Sequence, residues 1–149
     1  MKTLIIILSL SLLNIFAGCF KAYDNTYTVV NNTSKQVKII GFDLKYKWGI
    51  YSETIDIQPN SKFIIQKNNE TRQPQGIFVV EWIDSVNIIF DNKRIIKYRC
   101  NSVQGQDLCD DMRNILNYYK YYEQVKGEHE STYTYTITEA DYESADTIK

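Results

Sequence analysis

Residues 86–98 read Val86-Asn87-Ile88-Ile89-Phe90-Asp91-Asn92-Lys93-Arg94-Ile95-Ile96-Lys97-Tyr98. Two runs rich in β-branched residues flank the polar turn Asp91-Asn92-Lys93. Asn92 takes positive φ at little cost, as tight hairpin turns require. This is the clearest hairpin in the chain, and its neighbours are read outward from it. Immediately upstream, Ile77 to Ile83 is the most apolar stretch after residue 19. At seven residues with β-branched and aromatic members it fits a central strand better than a helix. Lys67 to Gly76 is polar, holds Pro74 and reads as a surface loop. Before it, Thr54–Ile57 and Lys62–Ile65 flank Gln58-Pro59-Asn60, where Pro59 presets φ for a turn. That predicts a second hairpin with Ile55, Ile57, Phe63 and Ile65 inward. Asp43 to Tyr51 is broken by Gly49, which leaves Trp48 in a loop or at a strand end. Further back, Tyr27–Val30 and Lys35–Phe42 lie either side of the dense turn signal Asn31-Asn32-Thr33-Ser34, a third hairpin.

Downstream, Cys100 to Asn117 changes character, and Asp110 to Leu116 could form a turn or two of helix with Met112, Ile115 and Leu116 on one side. Tyr118 to Val125 returns to β composition, Lys126–Glu130 is a loop, and Ser131–Thr138 is a strand. In that strand Tyr133, Tyr135 and Ile137 share one face and Thr132, Thr134 and Thr136 the other. Thr138-Glu139-Ala140-Asp141 has capping-box form and predicts a short terminal helix through Ala145. About eight short strands in pairs, with no alternating helices, exclude a parallel sheet. They predict an all-β fold, an antiparallel two-sheet sandwich of immunoglobulin-like or similar kind, with a barrel as the alternative.

Composition agrees with that class. The chain has 149 residues, with twelve Tyr and two Pro, and its 17 Lys and Arg nearly balance 18 Asp and Glu. No charge excess calls for nucleic acid or an anionic membrane surface.

The amino-terminal segment speaks to location. Lys2-Thr3 precedes an apolar run from Leu4 to Leu13, followed by Asn14-Ile15-Phe16-Ala17-Gly18-Cys19. A positive start, a short apolar core and small residues before a cut are the parts of a secretory signal peptide. A membrane span needs about 20 apolar residues, and Ser9, Ser11 and Asn14 interrupt this run. Phe16-Ala17-Gly18-Cys19 resembles the lipobox of bacterial lipoproteins, departing from it in having Phe16 where Leu is usual. A plain cleaved signal and an uncleaved anchor are the alternatives. The lipobox, the strings Tyr27-Thr28-Val29-Val30-Asn31-Asn32-Thr33-Ser34 and Phe90-Asp91-Asn92-Lys93, and the stretch Tyr133 to Tyr142 together resemble small lipoproteins of the Bacteroidetes type. That resemblance implies removal of residues 1–18, acylation of Cys19 and a β-sandwich at the envelope, and it carries no activity with it. The expected organisation is a signal peptide (1–18), a lipidated tether (19–26) and one domain (27–149). The expected location is the outer membrane, on its periplasmic face.

In such an oxidising compartment Cys100 and Cys109 read as a disulfide, two free thiols being the alternative. A zinc reading lacks partners, since His129 is the sole imidazole, and no cofactor is expected. His129 sits in a Gly-Glu-His-Glu loop with no nucleophile elbow to serve. The carboxylate pairs Asp110/Asp111 and Glu139/Asp141 suit solvated faces and helix starts better than glycoside hydrolysis. Asp107, Asp110 and Asp111 lack the Gly and distal Glu of an EF-hand. The aromatic run Tyr118-Tyr119-Lys120-Tyr121-Tyr122, read as a strand, puts Tyr118 and Tyr122 on one face and Tyr119 and Tyr121 on the other. With Trp48 these form a candidate ligand platform, the alternative being rings packed in the core. The expected function is a non-enzymatic envelope module contacting the membrane through Cys19 and another envelope protein. Glycan or peptide binding by the Tyr-rich face is the second reading.

Overall fold

The computed structural model describes residues 23–43, 51–70, 76–78, 83–100, 113–118 and 120–149. These residues hold nine strands: β1 (Tyr23–Asn32), β2 (Val37–Asp43), β3 (Tyr51–Ile57), β4 (Ser61–Glu70), β5 (Ser85–Phe90), β6 (Arg94–Arg99), β7 (Glu123–Lys126), β8 (Glu130–Thr138) and β9 (Asp146–Thr147). A helix, α1 (Glu139–Ser144), lies between β8 and β9. One sheet has the order β4-β1-β8-β7 and the other β3-β2-β5-β6-β9, so the fold is the expected two-sheet sandwich.

Period-2 patterning builds the core. Tyr27 and Val29 of β1, Val37 and Ile39 of β2, Ile55 and Ile57 of β3, Val86, Ile88 and Phe90 of β5, and Tyr133, Tyr135 and Ile137 of β8 are all buried. Each such side chain contributes about 1.5–3 kcal/mol relative to staying in water. At the far end of β1, Asn31 carries this alternation one step on and is fully buried. Its amide donates to the carbonyls of Lys35 (2.8 Å) and Gln58 (2.9 Å), while its Oδ1 accepts from the backbone N–H and hydroxyl of Thr33 (3.1 and 2.7 Å). One side chain thus ties β1, the following turn and the end of β3 together.

Several expectations need correcting. β1 begins at Tyr23 rather than Tyr27, because Tyr23 to Asn25 find pairing partners in β4 and β8 that the local sequence does not reveal. β4 runs to Glu70, so Lys67 to Glu70 are strand rather than the expected loop, and residues 71–75 lie outside the described residues. The β1–β2 and β3–β4 turns do not close hairpins, since each carries the chain from one sheet to the other. The β5–β6 hairpin is as expected, with Asp91 and Asn92 at φ 48° and 56°. Ile77 and Phe78 lie in a bend rather than a strand and are buried in the core cluster; residues 79–82 lie outside the described residues. Arg113 to Tyr118 are turns and not helix. The central pair β1 and β8 is parallel, so the first sheet is mixed.

Candidate functional site

The described residues of the tyrosine run do not form a strand. Asn114 and Asn117 turn the chain with their own side chains: Asn114 Oδ1 accepts from the Leu116 N–H (2.9 Å) and Asn117 Oδ1 from the Lys120 N–H (3.2 Å). Residues 118 and 120–122 therefore lie in turns and bends before β7. Tyr122 is buried, and its hydroxyl donates to the Ile115 carbonyl (3.0 Å). Tyr118 meets Tyr27 and Tyr122 edge-on at 6.1 and 5.2 Å, and Tyr27 stacks on Tyr133 at 5.2 Å. Tyr122 also lies 5.2 Å from Tyr135. Gly76, at φ 87°, backs this cluster so closely that a Cβ there would collide with the Tyr118 ring. Burial pushes the Tyr122 and Tyr135 hydroxyls well above the usual phenol range. Tyr121 is half-buried and packs against the core, with the Lys120 ammonium 5.3 Å from its ring centre. Tyr119 and Trp48 lie outside the described residues. The described rings are thus interior packing rather than an open platform.

A second polar cluster holds this segment down. Arg113 donates to both Asp141 carboxylate oxygens (2.7 and 2.9 Å) and to the Thr136 carbonyl (2.6 Å), and the Tyr135 hydroxyl donates to the Arg113 carbonyl. The hydrogen bond to Asp141 is the largest influence on Arg113 and raises its pKa. Asp141 also accepts from the Thr138 N–H and hydroxyl (2.7 and 2.9 Å), completing the expected capping box. Glu139 accepts from the Ser34 N–H (2.7 Å). Both carboxylates of this pair are therefore engaged in structural bonds. His129 is exposed, 3.6 Å from Glu128, and its carbonyl accepts from the Asp24 N–H. Among the described residues no three His, Cys, Asp or Glu side chains converge on a metal-sized site. Cys100 is buried beside Asn114, while Cys109 and Asp107, Asp110 and Asp111 lie outside the described residues.

The feature that sequence reasoning missed is the outer face of the four-stranded sheet. Register places Gln66, Thr26, Thr132 and Val125 in one row across β4, β1, β8 and β7. Ile64, Thr28, Thr134 and Glu123 form the next row, and Lys62, Val30 and Thr136 the third. The middle two columns are thus threonine and valine, with an aliphatic residue on each flank. Ile64 and Val125 are 47% and 71% exposed, two of three exposed large hydrophobics among the described residues. The alternation Thr132-Tyr133-Thr134-Tyr135-Thr136 gives one column in sequence. The matching column on β1 emerges only from the parallel pairing of strands a hundred residues apart.

No family model matches the chain, and no curated protein does. Among solved structures it is similar to the dioxygenase domain of a dioxygenase–carbohydrate-binding protein fusion from the cellulolytic bacterium Streptomyces sp. SirexAA-E. The identity is 7%, the match covers 81% of this chain and 82% of that one, and the TM-score is 0.42. A likeness at that level carries neither activity nor ligand across.

Proposed function

We propose that the chain is a lipid-anchored, non-enzymatic protein of the bacterial cell envelope that serves as an interaction module. In this reading Cys19 is acylated, Cys100 and Cys109 form a disulfide, and the sandwich presents its outer surface to another protein at the membrane. The observation that carries it is the spacing of anchor and fold: β1 begins at Tyr23, four residues beyond the lipobox cysteine. Four residues reach at most about 14 Å, so acylation at Cys19 holds the folded body directly at the bilayer surface. Several acyl chains hold firmly where one would not. A module reading is also supported by the chemistry already described. Tyr122, Tyr135, Arg113, Glu139 and Asp141 are engaged in internal bonds, and the described rings of the second, glycan-binding reading (Tyr118, Tyr121 and Tyr122) are buried in the core or packed against it. Mass spectrometry of the mature amino terminus tests the anchor. The expected species is a diacylglyceryl Cys19 with an acylated amino group, and an unmodified Cys19 or a cut elsewhere would overturn it.

A further inference from the structure

Resting on the anchored reading, we infer that the outer face of the four-stranded sheet docks a second copy of this chain, with a two-fold axis along the strands and the membrane normal. The face is nearly charge-free at its centre and carries Ile64 and Val125 exposed on opposite flanks, as a sheet packed face to face on another would need at its centre. Its three central rows hold two charges, Lys62 on β4 and Glu123 on β7. They have opposite signs and lie on opposite edge columns. A two-fold running between β1 and β8 places β1 over the other copy's β8 and β4 over its β7. Each Lys62 then comes within a row of the other copy's Glu123, so the contact is complementary twice over.

Anchoring selects this symmetry over the obvious rival. β4 is an open edge ten residues long among the described residues, and antiparallel self-pairing there would join two sheets. That pairing needs a two-fold across the strands and sends the two amino ends in opposite directions, which one bilayer cannot accommodate. Face packing leaves both β1 strands starting at the same end. The row nearest that end holds Asp24 and Glu130, and like charges oppose close approach there. The crossing of about 30° usual for aligned sheets splays the ends, which centres the contact on the threonine rows. Four strands by three rows cover roughly 400 Å² per copy, about half of a standard interface. Association is therefore weak in free solution and promoted by confinement to a membrane.

The test uses the acylated mature chain, from Cys19 onward, in phosphatidylethanolamine vesicles. Copies carrying Thr28→Cys are mixed with copies carrying Thr134→Cys and oxidised. A disulfide-linked pair of the two variants is expected, reduced several-fold by Lys62→Glu and restored by Lys62→Glu with Glu123→Lys. Absence of the mixed pair, crosslinking only through β4 positions, or indifference to charge reversal would overturn the docking. Mass spectrometry of Cys19 on the same sample reports separately on the anchor. If acylation is absent but the charge-reversal pattern persists at high concentration by ultracentrifugation, the anchor fails and the interface stands.

Discussion

Asn31 and Asn32 are neighbours of one type, and local turn chemistry treats them alike. Period-2 counting from Tyr27 and Val29 separates them, because it sends Asn31 inward and Asn32 out. The side chain of Asn31 then has the carbonyls of Lys35, Ile57 and Gln58, together with Thr33, to satisfy. Truncating it leaves buried donors and acceptors unpaired, at about 1–3 kcal/mol for each uncompensated group. Asn31→Ala should therefore cost about 2–4 kcal/mol, while Asn32→Ala stays within about 0.5 kcal/mol, as chemical denaturation would show. The buried phenols make a pH argument. Tyr122 and Tyr135 have folded-state pKa values raised by burial, so the neutral form is favoured in the fold. Their contribution is fully present below the unfolded-state pKa of about 10 and is lost as pH rises above it, at about 1.4 kcal/mol per pH unit for each phenol. Stability should fall steeply between pH 10 and 11, and Tyr122→Phe should shallow that slope even though it loses the bond to Ile115. An unchanged slope would mean that Tyr122 ionises within the fold.

Strands far from their partners, such as β1 and β8, were legible in the sequence, but the pairing that was legible was the one closed by a tight turn. β5 and β6 meet across Asp91-Asn92, and the positive φ values there satisfy the turn expected from the residues alone. Asn31–Ser34 and Gln58–Asn60 carry equally good turn residues, yet they lead from sheet to sheet. A turn signal reports a change of direction, while the sheet that receives the next strand is set by packing distant in sequence. The tyrosine run failed for a different reason: aromatic β-propensity is weaker than two asparagine side chains turning the backbone on either side of Ile115 and Leu116. Two element-scale outcomes follow. Asn92→Gly keeps the left-handed turn without a Cβ and should raise stability by a few tenths of a kcal/mol, whereas Asn92→Val should cost at least about 1 kcal/mol. Asp141→Asn removes the charge on the acceptor shared by the α1 cap and Arg113, and should lower stability by about 1–3 kcal/mol. Thermal melts of the two Asn92 variants and of Asp141→Asn would check these signs.

At the scale of the whole molecule, the chain alternates between sheets. β1 lies in the first, β2 and β3 in the second, β4 in the first, β5 and β6 in the second, β7 and β8 in the first, and β9 in the second. Neither sheet is assembled from a continuous stretch, so neither can form its hydrophobic face before the other is largely in place. The parallel pairing of β1 with β8 is the strongest instance, because it sets the first described strand beside one near the carboxyl end. β8 is also the strand that joins β7 to the rest of its sheet. Losing it removes Tyr133, Tyr135 and Ile137 from the core and uncovers one whole edge of β1. A chain ending after His129 should therefore lack a cooperative melt altogether, rather than show a lower one. The intact chain should unfold in one transition, with fluorescence and far-ultraviolet circular dichroism coincident. Because long loops must close before β1 and β8 reward one another, refolding should fall in the millisecond-to-second range typical of non-local β folds. A residual cooperative transition in the truncated chain would show that the second sheet holds its own core, and the interleaved account of stability would fail.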